Sequence, residues 1–130
     1  MALTVQVVTP EREVEVCDDA ELVIAHGIEG DVGIMTGHAP LLIALGTGPM
    51  TIVRQGGHRD VIALDGGFLQ VSRDQVIVLA EYAALPSEID AGATEAEIEE
   101  LRRRLSEESE TVELKRRLAR AEMAHSVARM

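Results

Sequence analysis

The chain contains very few aromatic side chains and a single cysteine, and both shortages exclude classes of protein. Phe68 and Tyr82 are the only Phe, Tyr or Trp residues among 130. The core must therefore be aliphatic, and recognition of bases or sugars by aromatic stacking is disfavoured. Cys17 cannot form an internal disulfide and has no CxxC partner, so a zinc or redox site is not expected and a reducing compartment is favoured.

Positive charge and long apolar runs are also scarce. The chain has 12 Lys and Arg against 23 Asp and Glu, a formal net charge of -11. Because phosphate backbones are bound by clustered cations, we expect no nucleic-acid partner. No run approaches the roughly 18 apolar residues of a membrane-spanning helix, and the first residues lack the basic start and apolar core of a signal peptide.

Motifs that would carry catalysis or bind a metal are missing from the sequence. The four histidines have no HxH or HExxH spacing, and no GxSxG elbow occurs. Cys17 lies among acidic residues, which would raise the pKa of its thiol and make it a poor nucleophile. The sequence therefore predicts no catalytic residues and no metal site.

Residues 1–86 read as short strands separated by turn residues. Apolar and polar residues alternate with the period of half-buried strands in nine runs, at 3–7, 13–16, 22–25, 32–35, 41–45, 50–55, 60–64, 68–72 and 75–81. Gly56-Gly57 indicates a two-residue hairpin loop, and Gly46 to Pro49 and Asp65 to Gly67 indicate further reversals. No useful helix fits between the runs. We predict a mainly antiparallel β-sandwich or flattened barrel.

Residues 87–130 change to a helical pattern. Thr94 to Glu97 has capping-box spacing, and apolar stripes follow at helical intervals, namely Ile98, Leu101 and Leu105, then Leu114, Leu118, Ala121 and His125. Two successive blocks of acidic then basic residues match two helix dipoles. No Gly or Pro occurs in 106–111, so one continuous helix stays open as an alternative, and a partner could bias such a segment. The fold class is therefore predicted as α+β, an antiparallel β-sandwich followed by a two-helix hairpin.

Three stretches of the β domain resemble the epsilon-subunit family of F-type proton-translocating ATP synthases. They are EGDVGIMTGHAPLL at 29–42, ALDGGFLQV at 63–71 and VIVLAE at 76–81. The resemblance covers essentially the whole chain, and more loosely the helices. It implies a ten-stranded sandwich and a two-helix domain in a non-catalytic central-stalk subunit that binds the gamma subunit and the c-subunit ring. It also implies that a loop containing Asp31, Met35 and His38 faces the c-ring.

The helical part of many bacterial members of this family inhibits ATP hydrolysis. The resemblance therefore implies contacts to acidic segments of the alpha and beta subunits by the positions that match, Lys115, Arg116, Arg117 and Arg120. By composition alone such a basic cluster would be a solvated helix face. The family also implies a peripheral position on the cytoplasmic face of the bacterial plasma membrane, with the plastid thylakoid membrane as the alternative, and membrane contact only through the complex.

Some members of the family bind ATP at the hinge through an Ile/Leu-Asp-x-x-Arg-Ala motif. This chain keeps Ile89 and Asp90 as the corresponding nucleotide-binding positions, but Ala93 stands where the arginine belongs. A phosphate would lose a charge-assisted hydrogen bond, typically ~1.5–3 kcal/mol. We therefore expect no cofactor and, at most, weak ATP binding.

A different class of function fits the same pattern of elements. A free-standing β-sandwich binding module with a helical dimerisation tail would also combine 1–86 with two amphipathic helices. A small hydrolase is disfavoured because no nucleophile and base are spaced for catalysis.

Overall fold

The computed structural model describes residues 2–107 and 111–129, in which seven strands precede two helices. The strands are β1 (Leu3–Val8), β2 (Glu13–Gly27), β3 (Gly30–Met35), β4 (Leu41–Ala44), β5 (Thr47–Arg54), β6 (Arg59–Ser72) and β7 (Gln75–Ala84). A 3-10 turn at Pro86–Glu88 leads to α1 (Ala91–Glu107) and α2 (Val112–Ala128). The predicted fold class, a β-sandwich followed by two helices, is confirmed.

The strands close on themselves through one long, bent strand. Their order is β1-β7-β6-β5-β2-β3, β4 pairs with β6, and β1 also pairs with β2. β2 thus pairs with β1 through its first half and with β3 and β5 through its second half. All pairs are antiparallel except β1 with β7, which is parallel.

The structure describes seven strands, fewer than the nine predicted runs and the ten strands that the family resemblance implies. Several of these strands are longer than the predicted runs. Two predicted runs merge into β2, and two merge into β6, because Asp65 to Gly67 is a bend within a continuous ladder to β7 and not a turn. Gly66 and Gly67 have φ of +74° and +111°, and a β-carbon on Gly67 would lie 2.7 Å from Ala80 Cα. Glycine therefore bends this strand without ending it.

Two further turn predictions are corrected. The hairpin between β5 and β6 has a four-residue loop at 55–58 in place of the two-residue loop expected from Gly56-Gly57. Thr47 to Pro49 belongs to β5, since Pro49 pairs with Ala63. Glycine and other turn-forming residues indicate where the backbone can bend. Whether the chain reverses there depends on its pairing with neighbouring strands.

The core of the sandwich is aliphatic, as predicted. Its largest fully buried members come from four strands, namely Leu3, Ile34, Met50, Ile52, Ile62 and Leu69. Alternation explains this burial, because every second residue of β1 points inward and the residues between them are half-buried.

Two helices form a hairpin with its own small core of Ile98, Leu101, Leu114 and Ala121, flanked by Leu105 and Leu118. α1 begins at Ala91, before the predicted cap, and Thr94 lies inside it with its hydroxyl donating to the Ala91 carbonyl. α2 is capped by Thr111, whose Oγ1 accepts from the Leu114 N–H at 3.1 Å. Half of the predicted break, residues 108–110, lies outside the described residues.

Candidate interaction surfaces

In the described part of the chain, no group of three or more His, Cys, Asp and Glu residues could hold a metal ion. No helix described is long and apolar enough to cross a bilayer. Burial, with smaller contributions from Asp19 and Glu15, raises the pKa of the Cys17 thiol. The functional candidates are therefore surfaces.

Four strands present a row of apolar side chains to solvent. Phe68 on β6 lies opposite Leu79 on β7 and Ala44 on β4, and Leu79 lies opposite Val8 on β1. Directly opposed residues project from the same face of a sheet, so these four residues form one row, here called the outer row. Phe68 and Leu79 are 55% and 56% exposed. Neighbouring exposed apolar side chains of this size indicate an interaction surface.

The outer row follows from the alternation of β6. Leu69 and Val71 are buried in the core, so Phe68 and Gln70 face solvent. Leu42, opposite Gln70, is 67% exposed and extends the apolar surface along β4.

The three residues expected to face the c-ring are separated in the structure. Asp31 and Met35 belong to β3, and His38 follows the end of β3, where its N–H donates to the Met35 carbonyl at 3.1 Å. At about 3.3 Å per residue, Asp31 and Met35 lie roughly 13 Å apart along the strand. The prediction of a single loop is wrong, because Gly33 pairs with Ile24 in the ladder and does not reverse the chain. Contact with the c-ring stays a prediction.

Asp31 is exposed beside apolar residues. It lies opposite His26 on β2, and the His26 ring and the Asp31 carboxylate form an ion pair if the ring is protonated. The adjoining hollow is lined by residues 27–32 and 42–44. Ile28 and Leu42, 69% and 67% exposed, lie at this hollow. An acidic group with an apolar rim is thus available to a partner.

Two basic residues of α2, Arg116 and Arg120, reach carboxylates of the sandwich. Arg120 Nε donates to Asp65 Oδ2 at 2.5 Å, and its guanidinium lies 5.0 Å from the centre of the Tyr82 ring. Arg116 is 3.8 Å from the Glu81 carboxylate. Arg117 lines the same cleft, although among the described residues it makes no ion pair with the sandwich. Arg116 and Arg120, two of the residues predicted to meet the alpha and beta subunits, therefore contact the sandwich within the chain.

Asp65 is the buried anchor of this contact. Its burial alone would raise the pKa of the carboxyl group, but hydrogen bonds from Thr47 and Arg120, with the positive charge of Arg120, outweigh it and lower the pKa. A lowered pKa keeps the carboxylate ionised at neutral pH, and the contact weakens only as the pH falls through that lowered value.

The predicted nucleotide positions lie between the 3-10 turn and α1. Asp90 Oδ1 accepts from the Ala93 N–H at 3.0 Å and so caps the first turn of α1. Glu88 accepts from Arg12 and from the Leu85 N–H, both at 2.8 Å. The carboxylates of Glu88 and Asp90 therefore hold the segment between the sandwich and α1 in place through hydrogen bonds.

Sequence reasoning missed three residues of these surfaces. Phe68 and Leu79 could have been found, because each falls on the outward phase of an alternating run. Asp65 was interpreted as part of a turn, and its partner Arg120 lies 55 residues away, so no local signal links them.

Comparisons with known proteins give one consistent family. The family model for the β-sandwich domain of the ATP synthase delta/epsilon chain matches residues 2–86. The ATP synthase epsilon chain of Brevibacillus brevis is 45% identical over 105 residues, which are 81% of this chain and 79% of that protein. That of Chromohalobacter salexigens is 40% identical over 111 residues, 85% of this chain and 77% of that protein.

Similar folds occur in solved ATP synthase structures. A chain of the Euglena gracilis mitochondrial OSCP/F1/c-ring structure aligns with a TM-score of 0.72 at 19% identity, covering 98% of this chain and 78% of that chain. A chain of the Tetrahymena thermophila mitochondrial central stalk/c-ring structure gives 0.62 at 16% identity, covering 98% and 97%. At these identities the likeness concerns the fold.

Proposed function

The chain belongs to the ATP synthase delta/epsilon family, and from this membership we propose that it is a non-catalytic rotor subunit of the central stalk. In this role it binds the gamma subunit and the c-ring and couples proton flow through the ring to ATP synthesis. The complex to which such subunits belong is associated with a membrane, and we propose the cytoplasmic face of the bacterial plasma membrane as its place.

The outer row is the observation that carries this proposal. Phe68 and Leu79 stand more than half exposed on one face of a four-stranded layer, where solvation of large apolar groups is unfavourable. A rotor partner that covers them removes this cost. We assign the outer row to the gamma subunit, and the exposed Asp31 and Met35 of β3 to the c-ring.

The helical hairpin is proposed as an inhibitor of ATP hydrolysis. Lys115, Arg116, Arg117 and Arg120 give one stretch of α2 a concentration of positive charge in an otherwise acidic chain. Acidic segments of the alpha and beta subunits are the complementary partners, and such charge pairs steer association more than they add affinity.

The test is a titration of the full chain into a complex of alpha, beta and gamma subunits while ATP hydrolysis is measured. We expect saturable inhibition by the full chain. A variant with Lys115, Arg116, Arg117 and Arg120 changed to glutamine should still bind, but its half-inhibitory concentration should rise about fourfold or more, because each exposed ion pair contributes roughly 0.2–1 kcal/mol.

The matched control changes Arg102, Arg103 and Arg104 of α1 to glutamine, which removes a similar charge from the other helix. We expect this control to inhibit nearly as well as the unchanged chain. Equal inhibition by the α2 variant would contradict the inhibitory contact, and failure of every version to co-elute with the complex would contradict the rotor assignment.

We further propose that the hinge binds no nucleotide under ordinary conditions. Ala93 offers no guanidinium, and the Asp90 carboxylate is occupied by the Ala93 N–H. Calorimetric titration of ATP should give no saturable heat for this chain. The variant Ala93→Arg should give saturable heat, because one restored charge-assisted hydrogen bond strengthens binding about 10- to 150-fold. Tight binding by the unchanged chain would contradict this proposal.

A further inference from the structure

Arg120 binds to three residues that lie side by side on neighbouring strands of the sandwich. Thr47 on β5 lies opposite Asp65 on β6, and Asp65 lies opposite Tyr82 on β7. Thr47 Oγ1 donates to Asp65 Oδ1 at 2.6 Å, which leaves Oδ2 for the Nε of Arg120 at 2.5 Å. Both carboxylate oxygens are thus used, and the aromatic ring supports the guanidinium through a cation–π contact.

The contact of Arg120 with Asp65 is more buried than the other ion pair that the structure describes between α2 and the strands. The Asp65 side chain is only 11% exposed, whereas both partners of the Arg116 and Glu81 pair are more than 60% exposed. Ion pairs in water contribute little, but a partly buried, hydrogen-bonded carboxylate gains more from its cation. Arg120 is therefore the dominant polar contact of α2 with the strands.

Apolar side chains of α2 are buried beside this contact. Ala124 and Val127 are 3% and 0% exposed and belong to neither hydrophobic cluster. The hydrophobic cluster of the hairpin and that of the sandwich share no residue. It is α2, and not α1, that packs against β5 and β6. Residues 1–86 carry 12 acidic and 4 basic side chains, so the sandwich also attracts the basic stretch of α2 over a distance.

We propose that Thr47, Asp65 and Tyr82 form an arginine socket that holds α2 on the sandwich through Arg120, and that docking in this socket competes with the acidic partner of the same helix. The second half of this statement rests on the proposed inhibitory function. One guanidinium cannot occupy the socket and a carboxylate of another subunit at the same time, so the socket sets how readily α2 is given up to that subunit.

The only tyrosine of the chain reports on the socket directly. No tryptophan is present, so the alkaline absorbance change of the isolated full chain belongs to Tyr82. Burial is the largest influence and raises its pKa; the charge of Arg120 opposes this, and the carboxylates of Glu97, Glu88 and Asp65 add to it. Release of α2 and mere loss of a charge therefore move this pKa in opposite directions.

The decisive variant is Arg120→Gln, titrated as the isolated full chain. If the socket holds α2, the hairpin leaves, Tyr82 becomes exposed, and its pKa falls towards its usual value of about 10. If α2 stays docked without Arg120, the lost positive charge raises the pKa further, and this result would overturn the proposal. Arg117→Gln, in the same cleft, is the matched control and should leave the pKa nearly unchanged.

A second measurement guards against unfolding. Far-ultraviolet circular dichroism should retain its helical signal in Arg120→Gln, and the ring resonances of Tyr82 should move at neutral pH as they do not in Arg117→Gln. Loss of the helical signal would mean that Arg120 supports the hairpin itself, which would also overturn the socket.

The variant Asp65→Asn tests whether the socket and the acidic partner compete for Arg120. It removes the negative charge of the socket, so Arg120 is more readily available to the partner. Its half-inhibitory concentration for ATP hydrolysis should be about five- to tenfold lower than that of the unchanged chain. An unchanged value would overturn the competition. Absence of inhibition by every version would overturn the proposed function and the competition with it, whereas the tyrosine titration decides the socket without any other subunit.

Discussion

Changing Phe68 and Leu79 together to serine should weaken binding of the chain to the gamma subunit by about 30- to 150-fold. Full burial of a Phe or Leu side chain contributes about 1.5–3 kcal/mol. Both side chains are already nearly half covered in the free chain, so docking adds roughly 1–1.5 kcal/mol for each. The sum of about 2–3 kcal/mol gives the stated range.

The sandwich itself should tolerate this change. Neither Phe68 nor Leu79 belongs to the hydrophobic core cluster, and serine in place of an exposed side chain usually alters stability by less than about 0.5 kcal/mol. Binding to a gamma-containing complex, measured by surface plasmon resonance or calorimetry, is therefore the readout. A thermal melt of each variant confirms that the fold is kept.

The matched control is Val112→Ser, at the most exposed large apolar residue of the helical hairpin. Val112 is 76% exposed and lies on α2, which contributes no residue to the outer row, so we expect its change to leave gamma binding within about twofold. Equal weakening by the control would indicate a general loss of apolar surface. Unchanged binding of the double variant would exclude the outer row as the gamma surface.

The parts of this molecule that the sequence predicts are those set by local periodicity. Alternation in β1 and the stripe of Ile98 and Leu101 place side chains inside because the backbone repeat alone decides which face they take. The same rule explains the aliphatic core of the sandwich and the two helices that follow it.

The parts that the sequence does not predict depend on contacts between distant residues. Asp65 to Gly67 has the composition of a turn, yet β7 pairs with β6 on both sides of it, and this ladder carries the strand through the bend. Likewise, nothing near Asp65 indicates that its carboxylate meets Arg120. The sequence shows where the backbone can bend, but contacts between distant residues decide whether it turns there.

Changing Leu101 to alanine should unfold the helical hairpin and leave the sandwich folded. Leu101 is 1% exposed and is the most deeply buried member of a cluster with three other buried residues, Ile98, Leu114 and Ala121. Buried Leu→Ala changes cost about 2.7–5 kcal/mol, and helices in proteins, such as the 17-residue α1 and α2, owe most of their stability to tertiary packing. The hairpin has too little other packing to absorb that loss.

Circular dichroism should lose most of its helical component in Leu101→Ala while the strand component and the main thermal transition persist. Val112→Ala, an exposed change on the partner helix, should keep the full signal. The functional readout separates the domains further, because Leu101→Ala should bind the gamma subunit as before yet fail to inhibit ATP hydrolysis. If sandwich and hairpin melt together in this variant, the two clusters are energetically one unit, and regulation cannot act by releasing the hairpin from a sandwich that stays folded.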